Sequence, residues 1–239
     1  MKEYHKIQSI YLRDDDGVFI PGEWSKPEFE YLKDLQWIWT EKVDGTNTRV
    51  IYEPSLSNSK ISFKGKTDES QIYVRLLERL NDLFNQENMI EIFKEQKGSI
   101  IFPLTLYGEG FGRKIQKGGG NYNPDGVDFV LFDVFIGGLW LKRESIERIS
   151  SNLNIQIVPI VGKGTLSEAI EFTKSGFKSH WGDFIAEGLV LRPEIDLQTR
   201  RGERIITKVK HKDFIIKTKG KRNDRRTFKE TSDIASPSS

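Results

Sequence analysis

The chain has 239 residues, 36% of them hydrophobic and 30% charged, so it is long enough to bury one large core or two small ones. It contains no cysteine, which excludes disulfides, thiol nucleophiles and thiolate zinc sites, and its formal net charge is only +2. The longest apolar run, FVLFDVFIGGLWL, is too short to cross a bilayer, and the first residues lack a secretion signal. We therefore expect a globular, cytoplasmic protein that does not bind membranes.

Short apolar runs around a polar turn begin the chain. KIQSIYL and GVFIPGEW flank RDDDG, which lacks the ligand spacing of a calcium loop and indicates a simple turn. QWIWTEKV, TRVIYE and KISFKGKT predict three further strands, the first two separated by a turn at Asp44 and Gly45. Lys42 is therefore expected near the end of a strand.

Helical spacing follows these strands. Apolar residues recur at helical intervals across 69–96, which predicts one long helix or two with a break near Asn88. SIIFPLTLYGEGFG and VDFVLFDVFIGG predict buried strands joined by a polar, glycine-rich loop at 113–126. KRESIERISSNL and TLSEAIEFTKSG predict two more helices, the second capped by Thr165 with Glu168 three residues later. AEGLVLRP and ERIITKVKH predict the last strands.

The order of these elements predicts the fold class. No repeat or proline-rich linker divides the body of the chain, so we predict one α+β domain of mainly antiparallel sheets flanked by helices, covering 1–219. Residues 220–239 are nearly free of core-forming side chains, which indicates a flexible tail, first basic and then containing Ser and Pro. Between residues 200 and 229 we count thirteen Lys and Arg against three acids, a local excess that favours polyanionic partners.

Polar residues at the ends of otherwise apolar strands are the candidate functional residues. A charge at a strand end is usually only solvated, but glycines flank three of these positions and allow a ligand to approach the backbone closely. Two of the lysines lie two positions apart, so in a strand both project from one face, where an anion such as a polyphosphate would relieve their repulsion. The set consists of Lys42, Glu109, Asp133, Glu187, Lys208 and Lys210.

Five segments resemble a known superfamily. EKVDGTN, YGEGFG, FVLFDV, AEGLVLR and ITKVKHKDF resemble, in order and approximate spacing, motifs I, III, IIIa, IV and V of the covalent lysyl nucleotidyltransferases, which comprise DNA ligases, RNA ligases and mRNA capping enzymes. The Glu before the lysine, the GTN after it and the aromatic lead-in are most similar to ATP-dependent RNA ligases of the phage nick-sealing class. The resemblance runs from about Trp37 to Phe214.

The resemblance implies a particular domain organisation. Residues 1–219 would form a single nucleotidyltransferase (ATP-grasp-like) domain that acts as the adenylyltransferase. Only 29 residues follow Lys210. That is too few for the OB domain of relatives, and the helical C-terminal domain of the nick-sealing class is also expected to be missing.

The resemblance further implies a nucleotide site. Lys42 would attack the α-phosphate of ATP, expel pyrophosphate and become a lysyl-AMP. Glu41 would read the adenine amino group, Phe132 would stack on the adenine ring, and Glu109 would bind the ribose hydroxyls. Lys66 stands where many relatives have an arginine, although a lysine does not reproduce the bidentate contacts of arginine with phosphate or ribose.

Phosphate and metal contacts are implied in the same way. Glu187 would help to hold Mg²⁺ or Mn²⁺, and Asn47 would assist phosphodiester formation. Lys208 and Lys210 would neutralise phosphate charge. An unperturbed lysine has a pKa of about 10.4, so we expect burial and nearby cations to lower the pKa of Lys42.

The implied substrate is RNA with 5′-phosphate and 3′-hydroxyl ends in a nicked or bridged duplex. A separate RNA-binding protein could take the role of the missing domain. Three alternatives stay open. A ligase of nicked DNA is compatible with Asp44, which is common in DNA ligases. A capping guanylyltransferase would be expected to carry a further domain. A non-catalytic RNA-binding module would use the basic C-terminal third as a phosphate track but would have no need of a nucleophile such as Lys42.

Overall fold

The computed structural model describes residues 3–54, 60–85, 87–89 and 103–215. The strands are β1 (Gln8–Ser9), β2 (Tyr11–Arg13), β3 (Phe19–Trp24), β4 (Trp37–Glu41), β5 (Thr46–Glu53), β6 (Lys60–Lys64), β7 (Leu104–Gly112), β8 (Val127–Ile136), β9 (Leu139–Trp140), β10 (Gln156–Ile157), β11 (Ile160–Gly164), β12 (Gly188–Pro193) and β13 (Thr207–Lys210). The helices are α1 (Pro27–Tyr31), α2 (Val74–Leu83), α3 (Gly119–Tyr122), α4 (Arg143–Asn152) and α5 (Leu166–Ser175), and a 3-10 turn covers His211–Asp213.

Two main sheets organise these elements. The five-stranded sheet has the order β1-β13-β12-β4-β11, and only its β1–β13 pair is parallel. The six-stranded sheet has the order β10-β8-β7-β5-β6, with β9 also paired to β8, and only its β10–β8 pair is parallel. Strands β2 and β3 form a separate antiparallel pair. The predicted α+β class with mainly antiparallel sheets is confirmed.

Each main sheet is covered on one face by helices. Helices α2 and α4 contact β8 of the six-stranded sheet, where Leu76, Leu131 and Ile146 are buried in one hydrophobic cluster. Helix α5 contacts β11, β12 and β13 of the five-stranded sheet, where Trp37 and Leu166 are buried in a second cluster. None of the helices described here has the length and apolar character that a membrane span requires.

Several boundaries differ from the sequence-based prediction. Helix α2 begins at Val74 rather than at 69, because Thr67 and Ser70 close a turn in which the Thr67 N–H donates to Ser70 Oγ at 3.1 Å. The end of the predicted 69–96 helix lies outside the described residues. The loop at 113–126 contains the short helix α3.

The helix α5 begins as predicted. The Glu168 N–H donates to Thr165 Oγ1 at 3.2 Å, and the Thr165 N–H donates to Glu168 Oε2 at 2.7 Å. This capping box satisfies two backbone donors that the first helical turn leaves without a helical partner.

Strands β4 and β5 flank a turn, as predicted, but they belong to different sheets. Strand β4 pairs with β11 and β12, whereas β5 pairs with β6 and β7. Residues 42–45 therefore carry the chain from one sheet to the other. Gly45 is needed there because an added Cβ would collide with the carbonyl oxygen of Gly110.

Candidate active site

Lys42 lies at this crossing between the sheets. Its backbone N–H donates to the Gly188 carbonyl at 2.9 Å. Its Nζ donates to Glu187 Oε2 at 2.7 Å and to the Val43 carbonyl at 3.3 Å. The side chain is 19% exposed, so the amine is held in place yet remains accessible.

A cavity of about 350 Å³ lies beside Lys42, a size that suits a small-molecule ligand. Both sheets and the N-terminal segment contribute to its wall. Nine residues were given a role at the site by the family resemblance, and seven of them line the cavity, namely Glu41, Lys42, Asn47, Lys66, Glu109, Phe132 and Lys208. The remaining two, Glu187 and Lys210, do not line it and lie in contact with each other next to Lys42.

Glu187 bridges two lysines. Its Oε2 accepts from Lys42 Nζ and its Oε1 forms an ion pair with Lys210 Nζ, both at 2.7 Å. The strand register explains this arrangement, because Gly188 lies opposite Lys210 in the β12–β13 pair and accepts from the backbone of Lys42. Burial raises the pKa of Glu187, but the two lysines outweigh burial and hold it below its usual value.

The charge on Lys42 is set by the acids that surround it. Burial lowers the pKa of Lys42, but Glu187, Glu109 and Asp44 together outweigh burial and raise it above its ordinary value. The prediction of a lowered pKa was therefore wrong, because the nearby carboxylates dominate over the lysines. In this arrangement Lys42 is an ammonium group that must lose a proton before it can act as a nucleophile.

Among the cavity residues predicted from the sequence, Lys208 and Glu109 have large pKa shifts. Burial, followed by the charges of Lys210, Lys42 and Lys66, lowers the pKa of Lys208 to about 8. Burial raises the pKa of Glu109 to about 7, against the opposing effect of the Lys42 charge. Both groups therefore titrate close to neutral pH, which is a property common at functional sites.

A bulge in β8 directs Phe132 toward the cavity. Asp133 pairs with Tyr107 and Leu131 pairs with Gly108, so Phe132 is the extra residue without a partner in β7. Its ring meets that of Tyr4 edge-on, with centroids 5.1 Å apart. The bulge thus presents the Phe132 ring at the cavity wall. The sequence pattern did not predict the bulge.

Asn47 and Glu109 lie side by side on neighbouring strands. They are directly opposite in the β5–β7 pair, so both side chains leave the same face of the sheet. Asn47 Oδ1 is buried and has no hydrogen-bond partner among the described residues. A buried polar atom of this kind at a cavity wall is available to a ligand. Lys66 is exposed at the edge of the same cavity.

Glu41 is held by a loop that the sequence analysis did not identify. Ser179 Oγ donates to Glu41 Oε1 at 2.6 Å, and the His180 N–H donates to Oε2 at 2.8 Å. Burial outweighs these hydrogen bonds and raises the pKa of Glu41. Each carboxylate oxygen keeps a second lone pair, so the carboxylate is oriented and still able to accept from a ligand.

A buried polar cluster lies beside Phe132. We call it the Tyr4 cluster, and it consists of Tyr4, Asp133, Arg192 and Arg204. Tyr4 Oη donates to Asp133 Oδ2 at 2.6 Å, and both guanidinium groups donate to the same carboxylate, at 2.8 Å and 2.7 Å. Burial raises the pKa of Asp133, but the two arginines outweigh burial and lower it.

Sequence analysis selected only Asp133 from this cluster. An acid within an apolar strand was the available signal, because a buried carboxylate requires cationic or hydrogen-bonding partners. The partners are 59 and 71 positions away for the arginines and 129 positions away for Tyr4, so the sequence did not identify them.

The residues present also suit a divalent metal. Across the described parts of the chain, no three His, Cys, Asp or Glu side chains are grouped closely enough to form a metal site by themselves. Mg²⁺ commonly uses one or two carboxylates together with water and substrate phosphates instead of a complete protein cage. Glu187, whose oxygens contact two ammonium groups at 2.7 Å, has the donor chemistry for such a shared site.

Comparisons with known proteins identify a family and a similar fold. A protein-family model described as RNA ligase matches residues 35–210, whereas no curated protein matches the chain. Three solved structures of Naegleria gruberi RNA ligase have a similar fold. They are a mutant with AMP and Mn (19% identity, TM-score 0.57), a mutant with ATP and Mn (20%, 0.55) and the ligase with PPi (20%, 0.55).

These matches cover 79%, 78% and 79% of this chain and 53%, 54% and 53% of the respective ligase chains. The chain therefore spans about half the length of the structures that it resembles.

Proposed function

The chain belongs to the RNA ligase family, and on this basis we propose that it is an ATP-dependent RNA ligase of the nick-sealing class with an ATP-grasp-like catalytic domain. It forms a lysyl-AMP on Lys42, transfers the AMP to an RNA 5′-phosphate and joins that end to a 3′-hydroxyl. The observation that carries the proposal is the accessible amine of Lys42 beside a cavity lined by Glu41, Glu109, Phe132 and Lys208.

The first step joins Lys42 to AMP. After losing its proton, Lys42 Nζ attacks the α-phosphorus of ATP. An N–P bond forms, the P–O bond to the β-phosphate breaks, and pyrophosphate leaves. Glu187 Oε2, which is 2.7 Å from Nζ, orients the amine. The proton passes to water, because the two lysines hold the pKa of Glu187 below its usual value and make it a weak base. A divalent metal held in part by Glu187 supplies positive charge to the phosphate oxygens when it is bound.

The cavity wall orients the nucleotide for this attack. Phe132 offers a ring on which adenine can stack, and Glu41 is oriented to accept a hydrogen bond from the adenine amino group. Glu109 accepts from the ribose hydroxyls when it is ionised. Lys208 and Lys66 stabilise the phosphate charge, and most of the rate enhancement is expected from such positioning and charge neutralisation.

Two further displacements complete the reaction. An oxygen of the RNA 5′-phosphate attacks the lysyl-AMP, so the N–P bond breaks and a phosphoanhydride forms. The 3′-hydroxyl of the neighbouring strand then attacks the 5′-phosphate, and AMP leaves. Asn47 lies at the cavity wall, and its side-chain carbonyl oxygen has no hydrogen-bond partner among the described residues, which supports a role for it in this last step.

Covalent labelling tests the proposal. The full chain is incubated with magnesium and ATP labelled at the α-phosphate, denatured, and examined for label on the protein. We expect label from ATP, no label from equivalent GTP, and none in Lys42→Ala. Label that persists in Lys42→Ala, or no label in the unchanged protein, would sink the proposal and favour a non-catalytic RNA-binding module. Label from GTP in preference to ATP would indicate a capping enzyme.

A second experiment identifies the strands that are joined. Nicked duplexes with a 5′-phosphate are offered with either RNA or DNA at the 3′-hydroxyl side. We expect sealing to be faster with RNA. Preferred sealing of all-DNA nicks would overturn the RNA assignment while leaving the adenylylation step intact.

A further inference from the structure

We infer that the N-terminal segment 4–7 is a working part of the active site, and that Lys6 binds phosphate groups where the nucleotide cavity meets a second, basic groove. This inference deepens the proposed function and rests on it for the identity of the substrate. The segment precedes the region matched by the family model, which begins at residue 35.

The segment is fixed on both sides of Lys6. On one side, Tyr4 is 7% exposed and donates to Asp133 in the Tyr4 cluster. On the other side, β1 pairs with β13, and the Ile10 N–H donates to the Lys208 carbonyl at 2.9 Å. The three residues between Tyr4 and Gln8 therefore lie along the edge of the cavity, and the anchors on both sides restrict their movement.

The Tyr4 cluster makes the first of these anchors specific. Arg192 and Arg204 donate to Tyr4 Oη at 3.2 Å and 3.1 Å, so the hydroxyl contacts three charged groups at once. The Arg204 guanidinium lies 3.6 Å from the centroid of the Trp140 ring, and Tyr4 meets the same ring edge-on. Loss of the Tyr4 hydroxyl would leave these buried groups with one partner fewer, which is costly in a buried site.

The second groove is basic and adjoins the nucleotide cavity. Its volume is about 490 Å³, and it shares Lys6, Ile7 and Lys208 with the cavity beside Lys42. Its positively charged lining residues are Lys6, Arg13, Lys208, Lys210 and Lys212. A ligand bound at Lys6 can therefore reach from one space into the other.

The unpaired lysines indicate what this groove binds. Arg13 is paired with Asp213, and Lys210 is paired with Glu187. Within the described residues, Lys6, Lys208 and Lys212 make no ion pair. Like charges that face one concave surface repel each other unless an anion separates them, and phosphate groups are the anions that this reaction supplies.

Phosphates from two sources could occupy the junction, namely the β- and γ-phosphates of ATP or the backbone of the RNA strand. Inorganic tripolyphosphate is a probe of the shared chemistry, and its binding does not require adenylylation. By calorimetry of the full chain, we expect Lys6→Ala to weaken tripolyphosphate binding about tenfold, since one charge-assisted contact is lost. Lys6→Arg should retain the affinity. Lys174→Ala, which removes an exposed lysine on α5, is the matched control.

Steady-state kinetics then identify the source. A higher KM for ATP in Lys6→Ala with unchanged kcat of adenylylation assigns the contact to the nucleotide. A higher KM for nicked RNA in sealing by pre-adenylylated protein assigns it to the RNA. Unchanged tripolyphosphate binding, or an altered affinity with neither KM affected, would overturn the inference. Failure of the unchanged protein to form a lysyl-AMP would instead refute the proposed function and leave the binding result standing.

Tyr4→Phe tests the positioning role of the cluster. If Tyr4 acts through Lys6, this change weakens tripolyphosphate binding, and adding Lys6→Ala to it weakens binding no further. A lower melting temperature with unchanged tripolyphosphate affinity would show that Tyr4 is only structural and would overturn its positioning role.

Discussion

The side chain of Glu109 links the proposed reaction to pH. Because burial raises its pKa to about 7, the group is largely protonated at pH 6 and largely ionised at pH 8. Only the ionised carboxylate accepts hydrogen bonds from both ribose hydroxyls without using a proton of its own. In the proposed function, the protonation state of this one acid would therefore affect how the cavity binds the ribose.

We predict that protonation of Glu109 weakens ATP binding without added metal as the pH falls from 8 to 6, while Lys208, whose pKa is about 8, gains charge and opposes this change. Glu109→Gln should therefore bind ATP with an affinity that rises as the pH falls. Calorimetric titration at several pH values measures it. Asp82→Asn, which changes an exposed acid on α2, is the control and should keep the pH dependence of the unchanged protein. An equal pH dependence in Glu109→Gln would show that another group controls binding.

Among the secondary structure elements, α5 allows a direct test of how an N-terminal capping box contributes to stability. Thr165 and Glu168 form the capping box, and α5 covers the five-stranded sheet, in which Glu187 directly precedes β12. We predict that Thr165→Ala lowers the free energy of unfolding by about 1 kcal/mol, because a backbone donor of the first turn loses its partner. Thr165→Ser should keep most of the stability.

Urea denaturation measures these changes, and adenylylation below the transition should match that of the unchanged protein. The capping prediction would be contradicted if Thr165→Ala and Thr165→Ser had the same stability. Impaired adenylylation in a folded Thr165→Ala protein would show that the cap also affects the site.

Most elements were predictable because their signals are local. Periodic apolar residues and the Thr165 cap predicted α4 and α5, and Asp44 with Gly45 marked the turn after Lys42. Strand pairing was less accessible, because β4 pairs with the distant strands β11 and β12 whereas β5 pairs with β6 and β7, and nothing in β4 or β5 indicates that they enter different sheets. The β8 bulge at Phe132 also depends on the register with β7, which a single strand does not encode visibly.

At the site, residue identities were predictable and their electrostatics were not. The motif residues around Lys42 were selected by type and order. Whether acids or lysines dominate the pKa of Lys42 depends on distances of a few ångströms, and Glu187 at 2.7 Å decides the balance. The sequence does not contain this distance, and for that reason the predicted direction of the Lys42 pKa shift was wrong.

At the scale of the whole molecule, the Tyr4 cluster joins distant parts of the chain. Asp133 on β8 of the six-stranded sheet contacts Arg192 on β12 of the five-stranded sheet. Arg204 and the N-terminal segment meet them at the same carboxylate. This single acid therefore links the two sheets next to the proposed nucleotide site.

We predict that Asp133→Asn lowers the free energy of unfolding at pH 7 by about 3–5 kcal/mol, because two buried guanidinium groups lose their counter-charge. The folded-state pKa of Asp133 is below its unfolded value of about 4. Its contribution is therefore fully present above pH 4 and is lost as the pH falls through the folded-state pKa. Urea denaturation from pH 7 to pH 3 measures the effect.

The difference in stability between the unchanged protein and Asp133→Asn should shrink at the acid end of this range. Asp82→Asn, at an exposed acid on α2, serves as the control. A difference that stays constant down to pH 3 would contradict the role assigned to the charge of Asp133.

The position of Tyr4 and Lys6 also has a practical consequence for purification and immobilisation. An affinity tag fused directly ahead of Met1 would be only a few residues from Tyr4 and Lys6, which line the cavity beside Lys42. The choice of the tagged end thus becomes an experimental variable whenever the activity of this protein is measured.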